Sequence, residues 1–141
     1  MAREPITGGC VCGAVRYEVS SRPLAMLRCH CRTCQMVSGG PYAPNMLVPA
    51  DKFRLTKGEL RYHATDKING DKHRRGFCAD CGSRLTGAET EGKESRWIGV
   101  SASSLDDPGL FRPTMDIFVS HAQPWDVMDP ALPKHPEYPP R

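Results

Sequence analysis

Long apolar runs are missing from this chain. Mean hydropathy is −0.48, and no stretch approaches the roughly 20 apolar residues that a membrane-spanning helix needs. The opening Met1-Ala2-Arg3-Glu4-Pro5 has no apolar core of the kind a secretory leader carries. Together these absences give a cytoplasmic, reducing location as the expectation. Aromatic residues are also scarce, at 7%, while glycine and proline number 13 each. That balance disfavours long helices and predicts many turns between short strands. Strong charge of either sign is lacking too. A formal net charge of +3 argues against a dedicated nucleic-acid domain, whose basic surplus is larger, and leaves small anionic ligands open.

Cysteine, by contrast, is plentiful. Seven thiols in 141 residues, in a reducing setting, read as metal ligands rather than disulfides. Residues two apart in a strand, such as Cys10 and Cys12, seldom meet the geometry of a disulfide. The chain length suits one domain with a core of its own. The thiols fall in three groups: Cys10/Cys12, Cys29/Cys31/Cys34 and Cys78/Cys81.

The middle group organises the reading. Cys29 and Cys31 share a face of an extended segment, and Cys31 and Cys34 share a face of a first helical turn. Three sulfurs therefore converge at a strand-to-helix junction. A tetrahedral metal with three protein ligands keeps its fourth position open. Gly13 follows Cys12 and Gly82 follows Cys81, whereas Gln35 follows Cys34. A metal knuckle turns back after its second ligand, and glycine takes the positive φ of that turn at no steric cost. Cys10, Cys12, Cys78 and Cys81 are thus expected to form one closed structural zinc site. Cys29, Cys31 and Cys34 are expected to form a second, open one. The rival is a single four-ligand site with the other thiols simply buried.

Along the chain, strands are expected at 14–20, 24–27, 42–48, 53–56, 60–65, 72–77, 84–88, 97–100 and 117–119, with a short helix at 32–37. Lys57-Gly58-Glu59 reads as a hairpin turn between its flanking strands, and Asn69-Gly70 as another turn. Lys72, His73, Arg74 and Arg75 form a basic run. It is either a set of carboxylate holders or, as charge runs usually are, a strand edge kept soluble. Arg28 and Arg32 flank the tripod and could offset its negative charge, and His30 reads as a packing residue rather than a ligand. His121 and Trp125 follow the last strand as an aromatic lid or a core anchor. Pro130 to Arg141 holds five prolines and is expected to be an extended tail, ordered only where it lies on a surface.

Gly9-Cys10-Val11-Cys12-Gly13, Cys29-His30-Cys31-Arg32-Thr33-Cys34 and Phe77-Cys78-Ala79-Asp80-Cys81-Gly82 together resemble the glutathione-dependent formaldehyde-activating enzymes, a family that includes the centromere-protein-V-like proteins. The resemblance covers residues 5–121 and leaves 122–141 as a C-terminal extension. It implies a mainly β fold, a β-tent of small antiparallel sheets with one short helix. It also implies two Zn²⁺ per chain: a structural ion on Cys10, Cys12, Cys78 and Cys81, and a catalytic ion on Cys29, Cys31 and Cys34. The implied activity is a carbon–sulfur lyase acting on a thiol–aldehyde adduct such as S-hydroxymethylglutathione, with glutathione or another small thiol as partner. The soft thiolate set favours a substrate sulfur in the open position, and His30 and His73 are candidates for a general base. A different class stays open as well, a non-catalytic zinc module that binds a protein or nucleic-acid partner through its basic strand.

Overall fold

The computed structural model describes residues 5–140. Met1–Glu4, read above for the lack of an apolar leader, and Arg141 lie outside the described residues. Within them no helix is long and apolar enough to cross a membrane. The fold is mainly β, with ten strands in two sheets and one α-helix among the described residues.

β1 (Ile6–Gly9), β2 (Arg16–Val19) and β5 (Phe53–Lys57) make a small antiparallel sheet in the order β1-β2-β5. The larger sheet runs β10-β3-β4-β9-β8-β7-β6, where β3 is Ala25–Cys29, β4 Ala43–Pro49, β6 Arg61–Asp66, β7 Lys72–Phe77, β8 Arg84–Thr90, β9 Trp97–Ser101 and β10 Met115–Ile117. All its pairs are antiparallel except β10, which lies parallel to β3. The alternation read in β2 is realised: Tyr17 and Val19 are buried while Arg16 and Glu18 are partly exposed.

The expected hairpin at Gly58 does not form. β5 pairs with β2 and β6 pairs with β7, so Gly58 carries the chain from one sheet to the other. Its φ is +73°, and a Cβ there would sit 2.2 Å from the Ala14 carbonyl oxygen. The glycine is needed for close approach as well as for its left-handed backbone. The Asn69-Gly70 turn does close β6 onto β7, with Asp71 N–H donating to Asn69 Oδ1 at 3.0 Å.

Two buried clusters result, and each contains one thiol group. Cys10 and Cys78 sit with Val15, Tyr17, Val19, Met46, Val48, Leu85 and Val100. Cys29 and Cys34 sit with Leu27, Ala43, Ile117 and Phe118. The proline-rich tail lies against β10, meeting the condition set by its composition. Asp116 N–H donates to the Pro133 carbonyl at 2.9 Å, and His135 N–H donates to the Asp116 carbonyl at 2.9 Å. Farther on, the Phe118 N–H reaches the Glu137 carbonyl at 3.1 Å, and the Tyr138 ring meets Phe118 edge-on at 4.8 Å.

Candidate metal centres

The sulfurs of Cys10, Cys12, Cys78 and Cys81 lie within 4.8 Å of one another, and so do those of Cys29, Cys31 and Cys34. Spacing and glycine placement grouped the seven thiols in the same way. In the first set Gly13 and Gly82 adopt φ of +82° and +77°. Their N–H groups turn back to the carbonyls of Cys10, at 3.2 Å, and Cys78, at 2.8 Å. The Val15 N–H reaches Cys10 Sγ at 3.2 Å and Ser83 Oγ lies 3.2 Å from Cys81 Sγ. Bonds from Ser83 pull the Cys81 thiol down to about 6. Cys12 is exposed, so this knuckle reaches the surface.

The second set is built at the end of β3. Cys31 is the N-cap of α1 (Arg32–Ser38), and its Sγ accepts the Cys34 N–H at 3.2 Å. Gln35, standing where a knuckle would have glycine, lets the helix continue to Gly39. Its buried side-chain amide donates to the carbonyls of His30 at 2.7 Å and His121 at 3.0 Å. That double tie fixes the junction on which the three sulfurs depend.

These thiols cannot all carry charge on their own. Hydrogen bonds from Cys29 and then Cys34 pull Cys31 down to about 2. Cys29 is pushed up, first by its bond to Cys31. Cys34 gains from Cys29 but loses more to Cys31 and burial, and also ends up raised. Such a thiolate set fits a soft divalent cation, and among the described residues no fourth His, Cys, Asp or Glu joins the three-sulfur group.

The cations near the tripod are not the ones that flank it in sequence. Arg28 turns to Asp116, with Nε and Nη2 donating at 2.8 and 3.1 Å. Arg32 Nη1 donates to Gln35 Oε1 at 2.6 Å. Arg75, 2% exposed, instead points both terminal nitrogens at Cys34 Sγ, at 4.0 and 3.9 Å. β7 is an inner strand between β6 and β8, so the basic run is not a solvated edge. Lys72 is paired with Asp66, Arg74 stacks on Tyr62 at 3.6 Å, and His73 Nε2 accepts the Ala88 N–H. Burial, with Arg75 next, drives His73 down to about 3. Of the four, Lys72 is exposed, His73 and Arg74 are half-buried and Arg75 is buried.

His30 is a buried residue between two carboxylates, in keeping with its reading as a non-ligand. Nε2 bonds to Asp116 Oδ1 at 2.7 Å and Nδ1 bonds to Asp126 Oδ2. Both ring nitrogens are therefore taken. Burial works against charge on Asp116, but bonds from Arg28 and His30 outweigh it and hold that carboxyl below the usual carboxylate range. Lys134 adds a contact at 3.6 Å. His121 Nδ1 accepts the Arg32 N–H at 3.3 Å, and Trp125 is 63% exposed, so it anchors no core. Sequence reasoning passed over Asp116, Asp126 and Lys134. The only signal available was their charge, set on segments rich in glycine or proline.

A family model described as glutathione-dependent formaldehyde-activating enzyme matches residues 5–121. The chain belongs to that family. A protein of Halomonas elongata whose name carries the same enzyme description is 36% identical over 84 residues. That stretch is 57% of this chain and 54% of the relative, so the match spans about half of the relative's length. A crystal structure of a Rhodobacter sphaeroides protein superposes with a TM-score of 0.57 at 22% identity, covering 76% of this chain and 96% of that one. This likeness concerns the fold alone. The formaldehyde-activating family match takes in all seven thiols and ends before Asp126, Lys134 and Tyr138.

Proposed function

We propose that this chain is a zinc-dependent carbon–sulfur lyase acting on a thiol–aldehyde adduct of the S-hydroxymethylglutathione kind. Cys29, Cys31 and Cys34 hold the catalytic zinc, and Cys10, Cys12, Cys78 and Cys81 hold the structural one. The observation that carries this reading is the three-sulfur set, with Cys29 and Cys34 buried, a guanidinium against it and no fourth His, Cys, Asp or Glu among the described residues. When bound there, zinc supplies a Lewis-acid centre with one free position and lowers the pKa of a thiol brought to it.

The chain's own residues do the rest. Gln35 and His30 keep the β3–α1 junction rigid, so the sulfurs stay convergent. Arg75 stabilises negative charge on Cys34 and so favours the thiolate form that binds a metal. In the synthetic direction the substrate sulfur forms a bond to the aldehyde carbon and the C=O π pair moves to oxygen. The thiol proton ends on that oxygen, and cleavage reverses each change. Residues 5–121 form the catalytic domain, and 122–140 strap its buried His30–Asp116 network in place. Seven free thiols suit a reducing, cytoplasmic setting.

The test is a screen of thiol–formaldehyde adducts, glutathione first, with protein whose zinc content is known. Exchange of the hydroxymethyl group, followed by NMR, should be faster with the two-zinc protein than with buffer and should return to the buffer rate after chelation. No acceleration for any thiol by protein carrying two zinc ions per chain contradicts the proposal.

A further inference from the structure

The pairing of β7 with β8 is interrupted opposite Arg75. Arg74 faces Glu89 and Gly76 faces Thr86, so Arg75 alone stands against two residues, Gly87 and Ala88. An extra residue on one strand bends it, sharpens the local twist and re-aims side chains beside it. The side chain facing this bulge is the guanidinium that meets Cys34 Sγ at 4.0 and 3.9 Å. On the β6 side its Nε donates to Thr65 Oγ1 at 3.2 Å.

The bulge is held in a backbone conformation that its residue does not favour. Ala88 has a φ of +63°, left-handed backbone that persists in a non-glycine residue only where the surroundings impose it. The imposing contact comes from β7: the Ala88 N–H donates to His73 Nε2. Glycines flank the bulge and make room for it. A Cβ on Gly87 would lie 2.8 Å from Arg84 Nη2, and one on Gly99, across in β9, would lie 3.0 Å from Ala88 Cβ. His73 and Arg75 are two apart on β7 and share a face, while Arg74 turns to Tyr62 on the other. Burial and the charge of Arg75 keep the His73 ring neutral, and a neutral imidazole has one nitrogen that accepts.

We propose that His73 is a positioning residue for the three-sulfur site: by accepting the Ala88 N–H it holds the bulge that keeps the Arg75 guanidinium on Cys34. This rests on the reading of that set as the open zinc site. His73 then acts on the metal through Arg75 and takes no proton from substrate, because the nitrogen that could accept one is occupied.

The experiment uses the zinc-replete full chain and chelator competition at both sites. His73→Leu should weaken the second zinc about tenfold and leave the first unchanged. His73→Gln, which keeps an oxygen acceptor, should recover most of that loss. His73→Leu combined with Arg75→Met should hold the second zinc no more weakly than Arg75→Met alone, because both act through one guanidinium. In the parent, imidazole ¹⁵N NMR should show the His73 proton on Nδ1, with Nε2 coupled to the Ala88 N–H. That arm needs no variant and decides alone if His73→Leu does not fold; a proton on Nε2 overturns the proposal. Additive losses in the double variant, or equal weakening of both sites by His73→Leu, would overturn it and leave the role of Arg75 standing. Turnover lost while the second zinc is held as in the parent would make His73 a base instead. If Arg75→Met leaves the second zinc as tight as before, the reading of the guanidinium fails and His73 falls with it. A parent that holds a single zinc overturns the metal reading first.

Discussion

The two thiol clusters are made of the same ligand atom, each set lying within 4.8 Å of one another, yet their surroundings differ. The four-sulfur group joins two glycine-turned knuckles, reaches the surface at Cys12 and has hydroxyl and backbone partners. The three-sulfur group is capped by a helix start, has a buried arginine against one sulfur, and is braced by a buried His30 held between Asp116 and Asp126. A closed set needs only to hold its ion, and short turns do that. An open set must also hold its shape when one coordination position is empty or exchanging, which calls for a rigid junction and compensating charge.

The largest effect that tests this contrast is loss of the fold. If the four-sulfur set holds the proposed structural zinc, Cys81→Ser removes a contribution on the order of ten kcal/mol in small domains. Insoluble protein, or protein without a cooperative melt, is the expected outcome. A melt like the parent's would mean that the four sulfurs are not a staple.

Next comes Arg75→Met, which removes the cation beside Cys34 while keeping an unbranched, apolar side chain. Competition with a chromophoric chelator should show the second zinc held about 10- to 100-fold more weakly and the first unchanged, the size usual for groups that support metal ligands. Equal weakening of both sites would erase the distinction between them.

A smaller loss is expected from Asp126→Asn, because the residue touches the tripod only through His30. Leaving His30 with one strong partner should cost roughly 1–3 kcal/mol of stability, read by denaturant unfolding, and should lower affinity at the second site alone. If a chain truncated after residue 121 matches the parent in both respects, the strap is ornamental.

The smallest effect lies at the surface. Arg16 and Thr7 hold the Asp106 carboxyl down at about 2, against an ordinary 3.8. A depressed folded pKa contributes stability that is fully present above the ordinary value and is lost as pH falls through the folded one. For Asp106 that window runs from 3.8 down to about 2. Both partners are well exposed, so Asp106→Asn should cost less than about 1 kcal/mol at neutral pH, with most of the difference from the parent gone near pH 2.

Much of this contrast was legible in the chain. Gly13 and Gly82 separated the closed cysteines from the open ones because positive φ is a local demand that only a few residues meet. The Cys31–Cys34 spacing likewise fixed the helix start. What could not be read were contacts that depend on which strands become neighbours. Gly58 looked like a hairpin turn because its own φ is the same in a hairpin and in a crossing between sheets. Arg75 looked like part of a soluble edge because nothing local says that β7 is flanked on both sides. Asp126 and Lys134 sit in a segment without periodicity, and their role appears only once the tail has folded back along β10.

Cys31→Ser tests the central claim most directly. Serine is close in size and is itself a favoured N-cap, so the helix start should survive, while a neutral hydroxyl is a poor partner for zinc beside two thiolates. Zinc per chain, melting temperature and adduct turnover measured on that one variant should give a single zinc, a melt close to the parent's, and no turnover. Two zinc ions with turnover intact would contradict the account, because the open site would then not be where the chemistry happens.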